Sequence, residues 1–131
     1  MKKRIALILM MFALCIAAVH PLPETRSYAA SAGAETVVIR LTGSRSSANC
    51  STYVVGKSGT TRIAVTMTLQ KYAKGSWQNE KTWSGSKNGS SYTIAKTKSL
   101  GSGTYRIKST ITASNSKGSQ TTTRYGVKVK Y

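Results

Sequence analysis

The chain has 131 residues and carries 20 Lys or Arg against three acids and one His, a formal charge of +17 at neutral pH. Asp is absent, the acids are Glu24, Glu35 and Glu80, and the single His is His20, so a Ser-His-Asp triad, a His general base in the body of the chain or a carboxylate-rich metal site cannot be assembled. A length of this order corresponds to one domain.

In chain order, "MKKRIALILMMFALCIAAVH" places Lys2, Lys3 and Arg4 before an apolar run from Ile5 to Val19. That is the layout of a secretory signal peptide, and the run is shorter than the about 20 residues a membrane span needs. Small residues stand at the two positions a signal peptidase reads in Ser27-Tyr28-Ala29, Ala30-Ser31-Ala32 and Ala32-Gly33-Ala34. Cleavage is expected after Ala29, with residues 30–34 as a flexible mature amino terminus and 35–131 as the domain. Leu14 before Cys15 argues against lipidation, and "LPET" at 22–25 is followed by Arg26 rather than the Gly of a wall-sorting signal. The expected product is secreted, with retention on the cell wall by charge as a further expectation.

Without residues 1–29 the chain keeps 16 Lys or Arg against Glu35 and Glu80, a formal charge of +14. It also keeps one thiol, Cys50, so no intramolecular disulfide can form. Cys50 is expected to sit in a strand as a small buried hydrophobe. A Cys50-linked dimer is the alternative, because an odd Cys in a secreted chain can pair between molecules.

Short alternating runs rich in β-branched and aromatic residues, separated by Gly, Ser and Asn, predict strands near 36–41, 49–55, 60–71, 76–84, 91–97, 104–113 and 121–130. About seven strands in a chain of roughly 100 residues predict an all-β fold, an antiparallel β-sandwich. Alternation assigns the faces. Ile63, Val65, Met67 and Leu69 share one side, Tyr105, Ile107 and Ile111 another, and Tyr125, Val127, Val129 and Tyr131 a third.

"GSGTYRIKS" places Tyr105 just after a Gly-rich corner. Leu100, Gly103 and Tyr105 resemble the corner of immunoglobulin-like and fibronectin-type sandwiches, where a Tyr hydroxyl bonds back to nearby backbone. The resemblance implies that Val65 and Ile107 take the places of the two Cys of antibody domains and that Trp77 packs in the core beside them. "LQKYAKGSWQNEKTW", "GTYRIKSTITA" and "TRYGVKVKY" together resemble a group of small exported single-domain sandwich proteins of Gram-positive bacteria, through Leu69, Gly75, Trp77, Trp83, Gly103, Tyr105, Arg106 and Tyr125. That resemblance implies a fold and no particular activity.

"VVGKSGTT" at 54–61 imitates the end of a phosphate-binding loop, but Ser51 stands where that loop needs its first Gly and a strand follows where it needs a helix. A turn is the expectation. With no constellation for acid–base or metal chemistry, the chain is read as non-enzymatic and without cofactor.

Charge is the informative feature. If the last two strands pair, Arg106, Lys108, Arg124, Lys128 and Lys130 share one outer face, and such a face attracts polyanions by Coulomb attraction and counterion release. The function expected is a basic module associating with anionic cell-envelope polymers, teichoic acid foremost, as a monomer. A secreted antagonist, bacteriocin-like or host-directed, and a basic domain with a protein partner are the alternatives. Nucleic acid is disfavoured because Trp77 and Trp83, six apart, are expected on one face in the core, which leaves no stacking platform.

Overall fold

The computed structural model describes residues 32–131. The expected signal peptide, Cys15 and residues 22–25 lie outside the described residues.

Among the described residues the regular structure is all strand: β1 (Ala34–Ser44), β2 (Ser47–Gly56), β3 (Arg62–Ala73), β4 (Ser76–Asn88), β5 (Ser91–Lys98), β6 (Thr104–Asn115), β7 (Gly118–Tyr125) and β8 (Val129–Lys130). They form two antiparallel sheets, a smaller one in the order β1-β2-β5 and a larger one in the order β4-β3-β6-β7 with β8 also paired to β6. The inner faces meet in one core, to which β2 and β5 contribute Cys50, Val54 and Ile94, and β3 and β6 contribute Ile63, Val65, Met67, Leu69, Ile107 and Ile111. The period-2 apolar stripes foreseen for β3 and β6 are therefore the stripes that leave water, the main drive for this fold at about 25 cal/mol per Å² of apolar surface. At the amino end, Ala32 is buried and the Gly33 carbonyl accepts a hydrogen bond from the Lys57 amide at 2.9 Å.

Among the described residues a polar side-chain bond crosses the core. The hydroxyls of Thr52 on β2 and Ser109 on β6 are 2.6 Å apart and fully buried. Each satisfies the other, so neither carries the cost of an unpartnered buried hydroxyl. Val65 and Ile107 do not bridge the sheets as the antibody comparison implied. They lie on β3 and β6, hydrogen-bonded neighbours in one sheet, and the cross-sheet contact belongs to Thr52 and Ser109.

Turn chemistry follows the residues. Lys74 and Gly75 close the β3–β4 hairpin with φ of 53° and 82°, the left-handed pair of a two-residue primed turn. Segment 57–60 is a turn, closed by the Thr60 amide and hydroxyl on the Lys57 carbonyl at 3.0 and 2.6 Å. Tyr105 is 1 % exposed, and its hydroxyl donates to the Gly101 carbonyl at 3.0 Å, pinning the corner that leads into β6.

Two irregularities of register change what the alternation implied. On β4, Leu69 pairs Lys81 and Gln70 pairs Asn79, so Glu80 is an extra residue in the ladder. After β7, Lys108 pairs Tyr125 but Tyr105 pairs Val129, so Gly126, Val127 and Lys128 face two residues of β6 instead of three. A one-residue insertion reverses the faces on its far side.

The single strand foreseen over 121–130 is thus two, and its supposed apolar stripe is divided. Tyr125 and Val127 are 52 % and 77 % exposed, whereas Val129 and Tyr131 pack against the core. Gly126 marks the break. Its amide donates to the Ile107 carbonyl at 2.8 Å, and a Cβ there would come within 2.9 Å of Ile39.

Candidate functional site

The bulge at Glu80 separates the two tryptophans. Trp83 lies opposite Met67 and packs against the core, but Trp77 lies opposite Tyr72 and on the outer face. Trp77 is therefore not the core residue that even spacing implied. The break at Gly126 likewise leaves Tyr125 opposite Lys108, on the same outer face. Three aromatic side chains that a regular alternation would have scattered stand at one end of the outer face of the larger sheet.

Arg106, half-buried on β6, joins them. Its guanidinium carbon is 4.3 Å from the ring centre of Trp77 and 4.3 Å from that of Tyr125, a cation held between two π faces. Its Nε donates to Gln70 Oε1 at 2.8 Å, and Gln70 Nε2 donates to Asn79 Oδ1 at 3.0 Å, so a hydrogen-bonded row runs from β6 through β3 to β4. Gln70 is 6 % exposed, which makes this row a fixed support. Tyr72 meets Trp77 edge to face with ring centres 5.3 Å apart and is itself 49 % exposed.

Beside this cluster lies a cleft of about 340 Å³ lined by Tyr72, Trp77, Thr104 and Lys128. Lys130 pairs with Thr104, so it belongs to the same outer face, as does Lys108 opposite Tyr125. Of the five cations singled out in the sequence, Arg106, Lys108, Lys128 and Lys130 are brought together at this end of the sheet. Arg124 is not. It pairs with Ser109, whose side chain points into the core, so the pleat directs Arg124 to the opposite face of β7.

The rest of the same face is a field of hydroxyls. Thr66 and Ser84, Thr68 and Thr82, Thr110 and Thr123, and Thr112 and Thr121 pair across strands at 3.4, 3.1, 3.4 and 2.7 Å. A larger hollow of about 470 Å³ lies over β2 and β5, lined by Asn49, Cys50, Ser51, Ala95, Lys96 and Thr97. It has no aromatic side chain and one cation, so the smaller cleft is chemically the richer one.

Cys50 is 1 % exposed, and burial pushes its thiol up from 9.0 to about 11, although Lys98 nearby pulls the other way. Thiolate is therefore scarce at neutral pH, and a second chain reaches this sulfur only if the sheet opens. Burial, and after it the neighbouring Cys50, also raises the pKa of Tyr131. The Tyr131 hydroxyl is buried without a hydrogen-bond partner.

Sequence reasoning missed Gln70, Tyr72, Trp77, Asn79 and Tyr125 as site residues. Tyr72 carried a signal, since it stands in the polar phase of β3 after the apolar phase ends at Leu69. Gly126 carried another, because Gly inside an alternating strand marks a bulge. Glu80 carried none that alternation could detect.

Comparison with protein-family models and with curated proteins finds no match for this chain.

Proposed function

We propose that this protein is an exported, non-enzymatic module that associates electrostatically with anionic cell-envelope polymers such as teichoic acid, acting as a monomer. The observation that carries the reading is the convergence of Arg106, Lys108, Lys128 and Lys130 at one end of the outer face, alongside exposed aromatic rings. Acids are scarce throughout the chain, so this potential is opposed by few carboxylates. The sandwich is read as immunoglobulin-like, supported by β1-β2-β5 facing β4-β3-β6-β7 and by the Tyr105 corner bond. Arg124 is left out of the binding face.

The testing experiment is sedimentation of the purified protein with bacterial walls, intact or stripped of teichoic acid, across a salt series. Binding should need the teichoic acid and fall steeply as salt rises, because counterion release drives it. Lys128→Glu with Lys130→Glu should weaken binding without unfolding the protein, since both side chains are exposed. Salt-insensitive binding, or binding untouched by the double change, would overturn the reading. Rapid dye release from anionic vesicles would instead indicate a secreted antagonist.

A further inference from the structure

We propose that the cleft between Tyr72, Trp77, Thr104 and Lys128 is a sugar-ring subsite, so that the polymer taken by the cationic face carries sugar rings along with its charge, as a glycosylated teichoic acid or an acidic polysaccharide does, and is not a ring-free polyanion. This rests on the polyanion reading above and narrows it to a ligand class.

Electrostatics alone would be served by lysines on a polar surface. This end of the sheet goes further, with Tyr72 and Tyr125 about half exposed at 49 % and 52 %. The C–H face of a pyranose is apolar while its rim carries hydroxyls, and a recognition site for it combines an aromatic platform with fixed polar groups. Both are present. Tyr72 and Trp77 form the platform, 5.3 Å apart edge to face. Thr104 and Lys128 line the same cleft, and the Thr68–Thr82 hydroxyl pair continues the face beyond Gln70 and Asn79.

The platform is also held in place before any ligand arrives. Arg106 is clamped between Trp77 and Tyr125 and tied to Gln70, which is tied to Asn79. Binding then orders few side chains, which limits its entropic cost. A volume of about 340 Å³ is at the small end of ligand sites and suits one or two sugar rings of a polymer lying across the face. Lys130, opposite Thr104, borders it and Lys108, opposite Tyr125, stands further along the same face, positioned for carboxylate or phosphate groups on other units of the polymer.

Single-stranded nucleic acid is the competing class, and it favours successive open ring faces. Here Arg106 lies over a face of both Trp77 and Tyr125, and Tyr72 meets Trp77 edge to face, so the rings do not form the row of open faces that successive bases need, whereas a single sugar ring needs one. The hydroxyl and amide surroundings match the rim of a sugar better than the plane of a base.

Titration calorimetry of the full chain with four probes tests this: polygalacturonate as the anionic glycan, inorganic polyphosphate as a ring-free polyanion, dextran as a neutral glycan and oligo-dT as single-stranded DNA. The expected order has polygalacturonate tightest, with residual binding at high salt where polyphosphate is lost and dextran weak throughout. Tyr72→Ala should lower polygalacturonate affinity about tenfold, equivalent to one lost ring contact, and leave polyphosphate affinity unchanged. Tyr125→Ala is the second variant, and near-UV circular dichroism confirms that each remains folded. Equal affinity for polygalacturonate and polyphosphate, or loss of both together in Tyr72→Ala, overturns the ring subsite and leaves the polyanion reading standing. Tightest binding to oligo-dT with sensitivity to Tyr72→Ala overturns it in favour of nucleic acid. Failure to bind any polyanion overturns both readings.

Discussion

At the Arg62 end of the larger sheet's outer face, β4, β3, β6 and β7 run in unbroken register and present cross-strand pairs of hydroxyls, from Thr112 with Thr121 to Thr66 with Ser84. At the Tyr72 end of the same face an extra residue interrupts β4 at Glu80 and another separates β7 from β8, and the surface becomes aromatic and cationic. The difference teaches that alternation assigns faces only as far as the ladder is continuous. Beyond a bulge it assigns them the wrong way round, and here both reversals bring an aromatic ring out to meet Arg106.

Arg106→Ala should have the largest effect, because Arg106 is the group on which the aromatic end converges. The stacks on Trp77 and Tyr125 and the bond to the buried Gln70 would be lost together, a destabilisation on the order of 3 kcal/mol. A urea midpoint measured with near-UV circular dichroism checks this. An unchanged midpoint would mean that Arg106 does not hold the cluster together.

Alkaline pH probes what the second insertion brings beneath the sheet, where Tyr131 lies near Cys50. The folded thiol is raised from 9.0 to about 11, so the folded state holds its proton more tightly than the unfolded state does. Its contribution is complete below pH 9 and is lost as pH rises toward 11, on the order of 2 kcal/mol. Urea midpoints of the wild type should fall over that window more steeply than those of Cys50→Ala. Parallel profiles would count against the buried thiol as the cause.

Smaller in effect is Tyr105→Phe, which removes the hydroxyl bond to Gly101 and should cost about 1 kcal/mol. Thermal unfolding reads it, and a wild-type midpoint would mean that the corner does not depend on that bond. Thr112→Val at the regular end sharpens the contrast from below. Its 2.7 Å partner Thr121 is exposed and water replaces the lost contact, so a change under about 0.5 kcal/mol is expected, again by thermal unfolding.

Much of the fold was legible in the sequence because period-2 alternation is a local property. Ile63 to Leu69 and Tyr105 to Ile111 announced their buried faces, and the Gly-rich corner before Tyr105 announced its hydroxyl bond. The candidate site was legible only in part. Arg106, Lys108, Lys128 and Lys130 were visible as charges, whereas Arg124 was grouped with them by an alternation that carried no information about which residue of β6 it opposes. Trp77 was assigned to the core because six residues separate it from Trp83, and only pairing with β3 reveals that Glu80 makes that interval odd in the ladder.

By itself, the sequence determined the all-β architecture, the basic balance and the core-facing residues of the regular strands, since each depends on composition or on neighbours a few positions away. The tertiary structure decided the register between strands distant in sequence, and with it the Thr52–Ser109 bond across the core and the meeting of Trp77, Arg106 and Tyr125. The physical reason is that register is set by the hydrogen bonds and packing of partner strands, so the face on which a side chain emerges after a bulge is a property of the pair and not of the strand that carries it.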